Sequence, residues 1–205
     1  MNTLGKSFLP AIVLLCIFGL IAAIAYLFIY KVDSTWRRHR TAHRLSALEV
    51  DARYDPNAID EILRYLDDET YKFGQVYACG VLRDLTPARK DVIDALIKTL
   101  NSGKRGLESE AAKTLGAFGV NASPAIESLV RKLEPPWVDD AAHYSAEALG
   151  EIGLPATVAI PALERAAQSE NPILRYQALK SLERLKWLRD WEQSIDSKRG
   201  YSKLP

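Results

Sequence analysis

The sequence predicts an all-α chain: an N-terminal transmembrane helix followed by an α-solenoid of about four and a half helix pairs. Two observations predict it. A pattern running through Ser109 to Ala167 occurs twice, displaced by 34 residues, and a fixed period of that size is the mark of stacked helical repeats. Leu9 to Tyr30 holds no charged residue over 22 positions, enough for a helix to cross a bilayer's hydrocarbon core.

The repeat is explicit. Leu115-Gly116 recurs as Leu149-Gly150, Ala125-Ile126 as Ala159-Ile160, and Leu129 as Leu163. Within one copy, Ala111, Ala112, Leu115 and Phe118 form one apolar stripe at helical spacing, and Ile126, Leu129, Val130 and Leu133 form a second. Between them Gly119 can end one helix and Ser123-Pro124 can open the next. Each copy is therefore an antiparallel helix pair. Leu-Gly-x-Ile-Gly at the end of a first helix and Ala-Ile-Pro at the start of a second resemble a HEAT-like repeat of the subtype also found in phycobilin lyases. That resemblance covers roughly Arg44 to Leu188 and implies a fold more than a function.

Taken in chain order, residues 1–8 are a short tail and residues 9–30 the membrane span. Residues 31–43 are a basic juxtamembrane segment, residues 44–191 the repeat domain, and residues 192–205 a polar tail expected to be disordered. A cleaved leader ending near Ala23-Ile-Ala25 is disfavoured because the apolar run continues to Tyr30. Lys6 precedes the span, whereas Lys31, Arg37, Arg38, Arg40 and Arg44 follow it. Basic residues accumulate on the cytoplasmic side, so the expectation is a single-pass protein of the cell inner membrane with its repeat domain in the cytoplasm. Trp36, Arg37, Arg38 and Arg40 are the candidate membrane-interface residues.

Extending the register outward from Leu115 and Leu149 finds Leu48, Leu82 and Leu182, and four residues before Leu82, Leu115, Leu149 and Leu182 stands a column of small side chains, Ala78, Ala111, Ser145 and Ala178. The first copy is the most divergent, as a terminal repeat with one uncovered face can be. Asp55-Pro56-Asn57 breaks the chain before its return helix, and Asn171-Pro172 opens the fifth first helix. Leu182, Leu185, Trp187, Leu188 and Trp191 are expected to close the open end of the array.

The second helices carry a basic column of Arg64, Lys98, Arg131 and Arg165, which stacking would line up as candidate partner-binding residues. Asp60, Asp94 and Glu127 precede the first three by four residues, the favourable order for neutralising pairs within a helix. Trp137, between Pro135-Pro136 and Asp139-Asp140, is a candidate partner anchor, since aromatic side chains dominate interface hot spots.

Chemistry is sparse. The net charge of +1 favours neither nucleic acid nor an acidic partner. Cys16 falls in the span and Cys79 in a repeat helix, so no disulfide or metal framework is expected. None of His39, His43 and His143 is followed by Glu, unlike the His-Glu ligand pairs of HEAT-like iron hydroxylases. The expectation is a non-catalytic, membrane-anchored scaffold that binds a protein, with no cofactor, metal, nucleic acid or small-molecule substrate, as a subunit or assembly factor of a membrane complex. A bilin-lyase-like groove enzyme and an envelope-facing structural protein are the alternatives.

Overall fold

The computed structural model describes residues 9–53, 55–68, 72–85, 89–135 and 140–201. Among them the chain is all-helical. It divides into two compact units, Met1–Arg44 and Leu45–Pro205.

The first unit holds the greater part of α1 (Leu9–Asp51). At its basic end Arg37 pairs with Asp33 at 2.9 Å, and the Ser34 and Thr35 hydroxyls donate to the Lys31 carbonyl at 2.8 and 2.9 Å. Among the described residues no helix is long and apolar enough to cross a membrane. The side chains of 9–19, 21–22 and 29, much of the expected span, lie outside those described.

The second unit is built of α2 (Pro56–Asp67), α3 (Lys72–Arg83), α4 (Lys90–Leu100), α5 (Leu107–Ala117), α6 (Ile126–Lys132), α7 (Ala141–Ile152), α8 (Ile160–Ala166) and α9 (Pro172–Tyr201). The expected starts are visible in local chemistry. Asp55 accepts from the backbone N–H of Asn57 at 2.9 Å just ahead of Pro56, and Asn171 accepts from the N–H groups of Ile173 and Leu174. Both satisfy donors that a helix start leaves unpaired. Gly119 and Gly153, one period apart, have φ of 55° and 80°, a conformation that side chains with a Cβ resist. The second helices do not begin directly at Ser-Pro, however. A 3-10 segment, Gly119–Ala125 or Leu154–Ala159, comes first, and Pro124, which has no N–H to donate, sits inside the tighter coil.

Helices α3, α5, α7 and α9 pack side by side in that order, and α2, α4, α6 and α8 back them as a second layer. The leucine column lies in the core: Leu48, Leu82, Leu115 and Leu149 are buried, whereas Leu182 on the last helix is half-buried. Ala78, Ala111, Ser145 and Ala178 have no exposed surface at all. Close approach explains both the small column and the glycines. A β-carbon at Gly116 would lie 3.0 Å from Cα of Ala148, and one at Gly150 would lie 3.1 Å from Cα of Ser181.

Two expectations fail at the C-terminal end. Leu185 is buried, but Trp187 and Trp191 are 63% and 52% exposed. The helix turns Leu174, Ala178, Ser181 and Leu185 inward, and residues 187 and 191 fall on its opposite side at 3.6 residues per turn. The polar stretch 192–201 is not an irregular tail but continues α9 as far as Tyr201. It has no proline before Pro205, and the weak helix former Gly200 comes only at its end, so the helix runs on.

Candidate functional site

The basic column forms a seam between copies. Lys98 Nζ lies 2.7 Å from Asp67, and Arg165 Nη2 donates to Glu134 at 2.6 Å, each anion standing 31 residues earlier at the end of the preceding second helix. Arg131 pairs with Glu127 at 2.9 Å and donates to the Ser128 hydroxyl at 2.8 Å. Ser128 also accepts from Asn101 at 3.1 Å, the residue that occupies the Asp67 and Glu134 position in its own copy. Lys98 and Arg165 therefore tie their copies directly to the one before, while Arg131 stays within its own helix and reaches the preceding copy only through Ser128.

Of the local acid-base pairs the spacing suggests, Glu127–Arg131 forms. Asp60 is instead engaged by Arg89 at 2.8 Å, which also grips Asp91 at 2.5 Å, holding the Asp91 carboxyl below its usual range mainly through that hydrogen bond. Glu164 pairs with Lys186 on α9 at 2.8 Å. Arg64 lines a shallow depression of about 300 Å³ with Glu61, Tyr65 and Asp68. The column thus presents alternating signs, and its exposed pairs are each worth under about 1 kcal/mol.

The structure does not bring the other candidates to this seam. Trp137 lies outside the described residues. Trp36, Arg37, Arg38 and Arg40 are exposed on α1 in the first unit.

A second feature, which the sequence pattern does not single out, lies on the other layer. Arg83, Lys113, Ala117, Tyr144, Glu147, Ala148 and Glu151 line a cleft of about 240 Å³ across α3, α5 and α7. Lys113 sits 4.1 Å over the Tyr144 ring and 2.7 Å from Glu110. Burial acts to lower the Lys113 pKa, but the Glu110 pair outweighs it and the net shift is upward. Glu151 is shifted upward by burial first and by neighbouring Glu147 second. The cleft thus holds a cation over an aromatic ring with the carboxylates of Glu147 and Glu151 at its rim. Its signal in the sequence is faint: Lys113, Glu147 and Lys180 share one repeat position whose charge alternates from copy to copy.

Two further reactive groups, Cys79 and His143, are buried. Cys79 is fully buried, and burial pushes its thiol up to about 12, which suppresses the nucleophilic thiolate. The buried His143 ring lies 4.0 Å from the Tyr144 ring, and burial holds its pKa below the usual histidine value against the pull of Asp140 and Glu147. Among the described residues no group of three or more His, Cys, Asp or Glu side chains could hold a metal ion. No family model matches the chain, and no curated protein matches it.

Proposed function

We propose that this protein is a single-pass, membrane-anchored HEAT-like repeat scaffold that docks a protein partner at the cytoplasmic face of the inner membrane, as a subunit or assembly factor of a membrane complex. The observation that carries the reading is the match of packing to period. Helices one repeat apart lie side by side, and Gly116 and Gly150 face Ala148 and Ser181 at equivalent places. Stacked pairs of this kind make extended surfaces suited to binding another protein. The anchor is supported by the uncharged run Leu9 to Tyr30 and by the exposure of every residue from Ala23 to Phe28 on α1. A helix apolar on all sides has its natural solvent in lipid.

Three experiments test it. The full chain should remain with membranes after carbonate extraction, and deletion of residues 9–30 should release it; extraction of the intact chain would remove the anchor. A reporter active only in the cytoplasm, fused at Pro205, should give signal, whereas signal from one active only outside would invert the topology. For docking, Trp137→Ala and Arg131→Glu are compared by crosslinking in cells. Loss of one defined crosslinked species without loss of thermal stability supports the scaffold role, and an unchanged species in both variants removes these surfaces from it.

A further inference from the structure

We infer that the outer face of α9 is a self-association surface, on which a second copy of this chain packs with its own α9 antiparallel. The inference does not depend on the membrane reading. Ile173, Tyr176, Leu179, Trp187 and Trp191 are each more than half exposed. They share one side of a helix whose opposite side supplies the buried residues Leu174, Ala178 and Leu185. From Ile173 to Trp191 the stripe is about 27 Å long at 1.5 Å per residue. The Trp187 and Trp191 rings stack at 6.3 Å with an interplanar angle of 11°, and Tyr176, Leu179, Lys180, Leu182, Glu183 and Lys186 bound an open groove of about 460 Å³. Terminal repeats ordinarily turn a polar face outward to stay soluble, whereas this face mixes large exposed apolar side chains with Lys180 and Glu183, the make-up of a protein contact.

The register distinguishes this surface from one awaiting a further repeat. On α5 and α7 the equivalent positions are Ser109, Ala112 and Gly116, then His143, Ala146 and Gly150, all buried. On α9 they become Tyr176, Leu179 and Glu183, all exposed. Bulky side chains there prevent the backbone approach seen at Gly150, so what covers α9 packs at a wider spacing through aromatic side chains.

Charge selects the occupant. Lys180 and Glu183 stand exposed on the face with opposite signs, while Lys186 is held by Glu164 and Asp190 by Arg189; an anionic bilayer surface would repel the acids. Tyr176 and Trp187 are centred on a point midway between Ser181 and Leu182, and Lys180 and Glu183 are centred on that same point. An antiparallel two-fold axis at that level sets Tyr176 against Trp187 of the other copy and Lys180 against its Glu183, each contact made twice, as a self-complementary interface requires. Lys180 is 60% exposed and 3.8 Å from Glu147 within its own chain, so it can reach outward.

The test measures mass against concentration for the full-length protein in detergent micelles by sedimentation, with circular dichroism as the control for folding. Wild type should dimerise. Trp187→Ser and Glu183→Lys should each raise the dimer dissociation constant by about tenfold or more, the scale of losing an anchor or creating a like-charge contact. The double variant K180E/E183K restores opposite charges across the axis and should return to within about threefold of wild type. It loses the internal Glu147 contact, so its recovery cannot come from there. A wild-type monomer at all concentrations, a dimer indifferent to Glu183→Lys, or a double variant no better than Glu183→Lys would each overturn the inference, and the charge variants decide it even if Trp187→Ser unfolds.

Discussion

Gly150 on α7 lies against the backbone of Ser181 on α9. A β-carbon at Gly150 would stand 2.9 Å from the Ser181 Cβ and 3.1 Å from its Cα. Gly80, inside α3, faces open space within 4 Å. The same substitution should therefore have opposite signs at the two places. Gly150→Ala should destabilise by about 1 to 3 kcal/mol through overpacking, whereas Gly80→Ala should stabilise by about 0.5 to 1 kcal/mol through helix propensity alone. Urea denaturation of the two variants decides it, and equal shifts would mean that the α7–α9 contact yields freely.

Ser145 stands in a column whose other members are alanine. Its side chain has no exposed surface, and its hydroxyl makes no hydrogen bond. A buried, unpaired hydroxyl costs roughly 1 to 3 kcal/mol, so Ser145→Ala should raise stability by about 1 kcal/mol at constant m-value. A decrease would show that the hydroxyl has a partner in solution.

Glu108 is a buried charge of the second unit, with its side chain 3% exposed. One oxygen accepts from Lys132 at 2.8 Å and from the Gly103 backbone N–H at 2.7 Å, so it holds both the end of α6 and the loop entering α5. Lys132→Met leaves that carboxylate without its cation and should cost about 3 kcal/mol, the scale for breaking one side of a buried pair. The exposed pair Lys98–Asp67 is the contrast. Lys98→Met should change stability by less than about 1 kcal/mol, and comparable losses in both variants would contradict the difference in burial.

His143 gives the stability a pH dependence of known sign. Burial lowers its folded pKa below 6.5, so below that value the unfolded chain binds more protons than the folded one. Its contribution is complete above the unfolded pKa and is lost as pH falls through the folded one. Asp140 and Glu147 oppose the shift, and Lys113 adds to it. Between pH 7.5 and 5.5 the urea midpoint of wild type should fall more steeply than that of His143→Gln. Parallel profiles would place the imidazole in water.

Much of this architecture can be read before any coordinate is known, because a helix that buries one stripe must repeat that stripe each time the chain returns to the same layer. The Leu115–Leu149 displacement therefore locates the core column, and Asn171-Pro172 locates the start of α9. The functional surfaces are harder to read. Lys98 has an acid one turn away at Asp94, yet its structural partner is Asp67, 31 residues back. The cleft at Lys113 and Tyr144 joins residues of three helices, and no local spacing brings them together. Trp187 and Trp191 have the composition of core residues but lie outside, since a 3.6-residue period gives the angle between two side chains and not which side meets the neighbouring helix.

Composition and periodicity are enough to establish the helical character of the chain, the repeat step and the uncharged N-terminal run, because these depend on residues a few turns apart and on the cost of placing charge in apolar surroundings. Which acid each base selects, which face of the last helix is left bare, and which glycine cannot accept a methyl group depend on distances between residues some thirty positions apart. Those distances exist only once the two layers are packed, and they are what leave room for a methyl group at Gly80 and none at Gly150.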